Sequence, residues 1–481
     1  MTSALEDLER NLRRRLAPDC FREIDSKYGD EPRGRFHGSI GLLLAPTRVS
    51  QVSKILAACH KSHVPVVPYG GGTGLVGGQV LEGSPAPVVI SMERMNRIRS
   101  SSSIDNVIVA EAGVTLADLQ TRADSNERFF PLSLASEGST QLGGNLATNA
   151  GGINVLRYGS MRDLCLGLEV VLPDGRIFNG LTQLRKDNTG YDLKNLFIGS
   201  EGTLGVITAA ALKLVHKPRV EATLFLAVND PAAALCILSQ LQSEFGNSIS
   251  AFELIHKNGL KFIRETHPDV KLPFPIASDW SILIDIGVSG EGELDKRLET
   301  VLEKQLEEDL VLDGLIAQSQ KQRQHFWSIR ELIPAANRRI GAIASHDISL
   351  PLGAITQFIH EASKKIDARG KYRINCFGHL GDGNLHFNIF PPRGVARDDC
   401  LHHRERISRV IYDLVHRYGG SISAEHGIGR LKTEELERYG DPTKLAVMRQ
   451  IKRALDPYDI MNPGAVLASG SDERIRWPLA T

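Results

Sequence analysis

The chain has 481 residues, a length that suits two or three domains. Apolar residues make up 42% of it, ample for a large core, and lysine plus arginine equals aspartate plus glutamate at 57 each. That balance excludes the strongly basic footprint of a nucleic-acid binder, and no apolar run reaches the roughly 18 residues that a membrane helix needs.

Residues 1–15 carry Glu6, Asp7 and Glu9 among apolar residues at helical spacing, and predict a helix of the mature protein. A secretory signal would show an unbroken apolar stretch, and a mitochondrial presequence would be poor in acids, so a cytoplasmic protein is expected. The six cysteines (Cys20, Cys59, Cys165, Cys236, Cys376, Cys400) are scattered without a CxxC pair and read as reduced, intracellular thiols.

Residues 49–62 bring Val52, Ile55, Leu56 and Cys59 to one face and predict a helix. A short apolar strand, 64–67, then runs into a loop holding Gly70, Gly71, Gly72, Gly74, Gly77 and Gly78. Glycine lets the backbone approach a ligand closely, and successive amide groups in such a loop form a nest for phosphate oxygens. The loop is neither a Gly-x-Gly-x-x-Gly turn opening a helix nor a P-loop, since no Gly-Lys-Ser/Thr ends it. A flexible linker is the bland alternative, and apolar residues on both sides argue against it.

Strands are predicted at 88–91, 107–111 and 166–172, the last turning at Pro173-Asp174-Gly175. Two more glycine-rich segments, 142–152 and 199–208, flank that last strand. Small residues dominate all three segments, which suits a long dinucleotide lying against backbone. From residue 221 the pattern restarts, with strands at 223–228 and 281–286 and helices at 231–245 and 293–308. This layout suits an antiparallel sheet covered by helices. A helical tail follows at 433–455, and there is no internal repeat or low-complexity tract.

Residues 376–388 read Cys-Phe-Gly-His-Leu-Gly-Asp-Gly-Asn-Leu-His-Phe-Asn, so His379 and His386 flank a tight turn. A second cluster, Ser423-Ala424-Glu425-His426-Gly427-Ile428-Gly429, adds a carboxylate and a third imidazole. Imidazole plus carboxylate is the ligand set that zinc, manganese or iron accepts, and three protein ligands leave positions open for a substrate. The bland alternative is a pair of hydrogen-bonded loop histidines. His426, beside a candidate ligand and close to neutral in its ordinary pKa, is the natural general base.

The order and content of these motifs resemble the flavin-binding domain of the vanillyl-alcohol oxidase and p-cresol methylhydroxylase superfamily. The two histidine segments are similar to those of its D-2-hydroxyacid dehydrogenase branch. The resemblance implies an α+β fold in three parts. These are a PCMH-type FAD-binding domain over 1–217, an antiparallel-sheet cap or substrate domain over 218–426, and a C-terminal helical segment over 427–481 that returns to the first. It implies FAD contacts at Pro68, Tyr69, Gly70, Gly71, Gly72, Thr73, Gly74, Leu75, Gly77 and Gly78. Further contacts are implied at Ser136, Gly138, Ser139, Gly143, Gly144, Asn145, Thr148, Asn149, Gly151, Gly152, Tyr158, Gly159, Glu201, Gly205, Val206, Ile207 and Asn462.

The same resemblance implies a divalent metal on His379, His386 and Glu425, zinc first and manganese or iron as alternatives. It gives Arg330 the substrate carboxylate, for which the guanidinium fork is suited, and brings Asn388 to the substrate. No histidine or cysteine lies between residues 64 and 80, so the FAD is expected to be non-covalent. The implied partners are a small 2-hydroxyacid and an electron acceptor such as an electron-transfer flavoprotein or a quinone, and a homodimer stays open.

Two positions depart from the family pattern. Many D-2-hydroxyglutarate dehydrogenases carry a lysine for the far carboxylate where this chain has Ser345, and Pro334 stands where some carry a hydroxyl. Both weaken the case for 2-hydroxyglutarate and leave a monocarboxylic acid such as D-lactate, or a larger 2-hydroxyacid, open. Two rivals are a non-catalytic FAD-binding subunit of a larger glycolate or lactate oxidase-like complex and a transferase resembling alkylglycerone-phosphate synthase. Both fit poorly with a retained metal set and arginine.

Overall fold

The computed structural model describes residues 3–273, 275, 278–290 and 294–468. The chain forms two compact units, Met1–Ala150 with Ser160–His216 and His426–Thr481, and Gly151–Gly159 with Lys217–Glu425.

In the first unit, helix α1 (Ser3–Arg13) buries Leu5, Leu8 and Leu12, spaced at three and four. They join one core with Val52, Ile55, Leu56 and Cys59 of α2 (Val49–Ser62), the helix that the spacing predicts. Under them lies a four-stranded sheet of β1 (Phe21–Arg22), β2 (Leu42–Leu44), β3 (Val66–Tyr69) and β4 (Val88–Ser91), in the order β1-β2-β4-β3. Strands β2, β4 and β3 run parallel, and β2 and β4 are buried throughout, as a sheet covered on both faces requires. Strand β3 starts two residues later than the apolar pattern predicts, because Pro65 precedes it.

A second sheet of the same unit is antiparallel, in the order β5-β6-β9-β7-β8. Its strands are β5 (Ile98–Ser102), β6 (Val107–Glu111), β7 (Cys165–Val171), β8 (Ile177–Gly180) and β9 (Val206–Lys213). Two carboxylates buried in it, Glu111 and Glu169, are both matched by Arg99, and Glu111 also by Arg97. The chain's tail returns here. Val66 N donates to Ile460 O at 2.7 Å and Asn462 N to Val66 O at 2.8 Å. The single tail helix expected over 433–455 is two, Thr433–Tyr439 and Pro442–Leu455. Gly440 is extended, Pro442 can only open a helix, and the Asp441 side chain caps the second one at Lys444 N.

The second unit is built on one seven-stranded sheet, in the order β13-β10-β12-β11-β15-β16-β14. Its strands are β10 (Val220–Val228), β11 (Ile249–His256), β12 (Trp280–Val288), β13 (Val311–Ile316), β14 (Ala344–Ser349), β15 (Arg373–His379) and β16 (Asn384–Phe390). Every neighbouring pair is antiparallel. Helices α3 (Pro231–Phe245), α4 (Lys257–Thr266), α5 (Leu294–Glu307) and α6 (Gln320–Ile340) belong to this unit. Glu293, expected to open α5, lies outside the described residues. Phe225, Ile255, Leu283 and Phe377 of the sheet share one core with Leu260 and Phe262 of α4 and with Phe326, Ile329 and Ile333 of α6.

Successive residues of a strand face opposite sides, so the alternation on this face is telling. Toward one end of it apolar residues give way to Glu253, Asn375, His379, Asn384, His386, Asn388 and Asp347, all on strands aligned by the register.

His256 ends β11 and caps α4, its Nδ1 accepting from Asn258 N at 3.3 Å while its ring meets Trp280 edge-on. Burial above all, with Lys257 and Lys261 adding to it against the pull of Asp279, lowers its pKa from 6.5 to about 4. The folded value lies below the unfolded one, so this residue's stabilisation is complete above pH 6.5 and is lost as the pH falls toward 4. The variant His256→Asn keeps a capping acceptor without the titration. Urea unfolding at a series of pH values should show wild-type stability falling across that window relative to the variant.

Candidate functional site

Each unit carries part of the predicted site. In the first, the loop after β3 meets the loop at 139–144 backbone to backbone. A Cβ on Gly71 would sit 2.1 Å from Ser139 O, so only glycine allows this approach. Gly138 and Gly144 have nothing within 4 Å of where a Cβ would stand, which leaves a backbone cradle open on that side. Open space beside backbone of this kind lets a dinucleotide approach closely. Asn145 accepts from Thr140 at 2.6 Å, and Asn149 accepts from Ser160 and from Arg162 N, so the 142–149 segment is fixed by its own side chains.

Glu201, Asn462 and Arg430 tie this unit's loops together. Glu201 is buried, which raises its pKa, and it accepts from Ile428 N and Gly429 N at 2.8 Å each. Gly427 has φ +78°, and a Cβ there would lie 2.6 Å from Glu201 Oε1. The Asn462 amide donates to Gly78 O and Glu201 O, both at 2.8 Å, and accepts from Arg430. Arg430 donates also to Gly77 O at 2.9 Å. Asn462 thus ties two loops together, and Val206 and Ile207 are buried residues of β9. Arg430 is the residue that motif reading missed in this unit. Gly151, Gly152, Tyr158 and Gly159 belong to the second unit.

In the second unit, His379, His386 and Glu425 each bring a ligand atom within 4.8 Å of the others, and among the described residues they are the one such set. His379 Nδ1 is hydrogen-bonded to Glu253 Oε1, which directs Nε2 toward Glu425 Oε1, 3.5 Å away. A carboxylate on the far nitrogen is the usual way a ligating imidazole is oriented. Asp347 Oδ2 accepts from Glu425 N at 3.0 Å, and its Oδ1 lies 3.8 Å from His386 Nδ1. Burial first, then the nearby carboxylates Asp347, Asp382 and Glu253, raise Glu425 to about 7 against the pull of His379. That crowding of negative charge is what a bound cation would relieve, so these residues fit a divalent metal.

Arg330 is 6% exposed and donates from Nε to the other oxygen of Glu253 at 2.6 Å. Its guanidinium lies over Phe377, 4.8 Å from the ring centre, and its two Nη groups make no hydrogen bond among the described residues. Asn388 is 7% exposed and its side chain makes no hydrogen bond among the described residues. The register sets it between Asn375 and exposed Ser345. Pro334 lies inside α6, one turn beyond Arg330. His426 is half-buried and follows Glu425 directly, at the start of the stretch that belongs to the first unit. Cys376 is buried and its thiol is pushed well up by burial, as a packing residue's should be.

Glu253 is the residue that reading the sequence missed. Fully buried, it is held down at about 2 by Arg330 and His379, which together overcome the cost of its burial. The same two carboxylates, Glu253 and Glu425, set His379 at about 9 against that cost. Its signal was a single acid inside the otherwise apolar run Phe252-Glu253-Leu254-Ile255.

Similarity to known proteins identifies the family. A family model described as FAD linked oxidases, C-terminal domain, matches residues 217–466, and one described as FAD binding domain matches residues 41–180. The chain is 39% identical over 439 residues to the D-2-hydroxyglutarate dehydrogenase, mitochondrial, of Arabidopsis thaliana, covering 90% of this chain and 76% of that protein. It is 34% identical to the D-2-hydroxyglutarate dehydrogenase of Stutzerimonas stutzeri, over 92% of this chain and 94% of that one. Among solved structures, p-cresol methylhydroxylase with substrate bound superposes with a TM-score of 0.75 at 16% identity, over 98% of this chain and 99% of that one. That similarity speaks for the fold.

The contact between the two loops gives a test. Gly71→Ala should force them apart and lower the flavin bound per protein, read as the ratio of visible to ultraviolet absorbance after gel filtration.

Proposed function

Because the chain belongs to the FAD-linked oxidases, in their D-2-hydroxyacid dehydrogenase branch, we propose that it oxidises a D-2-hydroxyacid to the 2-oxoacid with the help of a divalent metal. His379, His386 and Glu425 hold that metal, zinc or alternatively manganese or iron. The glycine loops of the first unit hold FAD without a covalent bond. The observation that carries the reading is the pairing of a metal-ligand set with an arginine whose Nη groups make no hydrogen bond among the described residues, both anchored on Glu253.

The reaction removes a hydride from C2 and a proton from the hydroxyl. Arg330 receives the substrate carboxylate on its two Nη groups, with Nε already fixed. Asn388 offers its amide to the same substrate from the neighbouring strand. His426 takes the hydroxyl proton on its imidazole. Bound FAD supplies the two-electron acceptor for the hydride, and the bound cation supplies the Lewis acidity that lowers the hydroxyl pKa. Fixing C2 in one orientation is the residues' main contribution.

The substrate lies in the D-2-hydroxyglutarate or D-lactate class. Relatives named for D-2-hydroxyglutarate favour the first. Ser345, uncharged and opposite Asn388, favours a monocarboxylic acid. Reoxidation falls to an electron-transfer flavoprotein or a quinone. Among the described residues no helix is long and apolar enough to cross a membrane, and α1 buries its leucines in the core. A cytoplasmic location remains our reading, while the Arabidopsis relative carries "mitochondrial" in its name.

Anaerobic mixing with D-lactate and D-2-hydroxyglutarate, with their L-forms as controls, tests the function by loss of the visible flavin band. One D-acid should bleach the wild type, and bleaching by none would overturn the reading. His386→Ala should stay yellow yet no longer be bleached; near-normal turnover in that variant removes the metal from the mechanism. Arg330→Ala should raise KM by about 10- to 150-fold, since a hydrogen bond to a charged group is worth about 1.5–3 kcal/mol. Initial rates across substrate concentration would show it, and an unchanged KM would take Arg330 out of the substrate site.

A further inference from the structure

Glu253 stands in the middle of β11, fully buried, and spends its two oxygens on two different functional side chains. Oε2 accepts from Arg330 Nε at 2.6 Å, and Oε1 is hydrogen-bonded to His379 Nδ1. Arginine and carboxylate more often meet side by side through two parallel bonds. Here the carboxylate has only one oxygen to give the guanidinium, because the other is committed to the imidazole. The outcome is that Nε is fixed, Phe377 supports the guanidinium plane, and the Nη edge stays unspent. On the other side, His379 is held with Nε2 facing Glu425.

We propose that Glu253 is a shared positioning residue, a rigid spacer that fixes the distance and angle between the carboxylate-binding arginine and the metal-binding histidine. The 2-hydroxycarboxylate unit of a substrate has one carboxylate and one hydroxyl a single carbon apart. A site that must hold both ends at once needs its two anchors held at a set spacing, and one side chain in contact with both does this directly. This rests on the proposed function, from which it takes the roles of Arg330 and His379, and adds the coupling between them.

The test uses the FAD-loaded full chain and reads two quantities. Zinc affinity is measured by competition with a chromophoric chelator, without turnover. KM and kcat are measured with whichever D-2-hydroxyacid bleaches the wild type. Glu253→Gln has nearly the same shape, but its amide can accept from only one of the two partners. It should weaken zinc binding by about 10- to 100-fold, the usual effect of losing a ligand's supporting contact. It should also raise KM by at least about 10-fold, and the rise should persist at saturating zinc while kcat largely recovers. Adding Arg330→Ala to Glu253→Gln should raise KM no further than Arg330→Ala does alone, since both act through one contact.

Zinc affinity and KM both within about two-fold of wild type would overturn the proposal, and so would a change in only one of them, because the shared role is the claim. Should Glu253→Gln fail to yield yellow protein, Glu253→Asp, whose shorter side chain keeps the charge but cannot reach both partners, is read by the same criteria. A wild type that holds zinc and is bleached by substrate, beside a variant that behaves identically, defeats this proposal alone. A wild type that neither holds zinc nor is bleached defeats the proposed function and this proposal with it.

Discussion

The second unit is organised by the need to neutralise one carboxylate that water does not reach. Glu253 sits in a strand whose neighbours are apolar, where an unpaired charge would cost several kcal/mol. It is tolerated because a guanidinium and an imidazole close on it from two directions. Those partners are then immobile in turn. Arg330 cannot swing to another acceptor without stranding the buried acid, and His379 cannot turn over its ring without losing its own bond. A demand of electrostatics thereby becomes rigidity, and it falls on the two side chains for which rigidity matters to chemistry.

The first unit meets a comparable demand with backbone. The segment at 142–149 is held by its own Asn145 and Asn149, while the glycine loop after β3 is held by residues distant in sequence. The Asn462 amide spans two loops, Arg430 adds a bond to Gly77 O in the first of them, and Glu201 collects two amides near Gly429. Glycine makes the close approach possible and these polar bonds keep it from wandering.

Much of this was legible in the sequence where a local pattern decides the outcome. The α2 helix follows from apolar residues at three and four, α3 from small and apolar residues on one face, and the two histidine segments stand out by residue type, with family resemblance singling out His379, His386 and Glu425, which the fold brings together. What stayed hidden depends on partners far along the chain. Glu253 looks like an isolated acid until β15 brings His379 beside it and α6 brings Arg330, 77 positions away. The split of the tail helix was visible in Gly440 and Pro442, yet apolar periodicity on both sides masked it. The resemblance puts Asn462 near the flavin ring, and its tie between two loops, made to Gly78 and Glu201, could not be read from sequence neighbours.

The pairing of Val66 with Met461 has a consequence for biosynthesis. Strand β3 leads directly into the first glycine loop, and its edge is completed by a segment made almost 400 positions later. A ribosome releases the chain from its N-terminus at about 5–20 residues per second, so β3 waits tens of seconds for that partner. Through that interval the whole second unit is synthesised, its main run Lys217–Glu425 lying between the two halves of that pair. Completion of the edge that leads into the first glycine loop is therefore a late event in the synthesis of each chain.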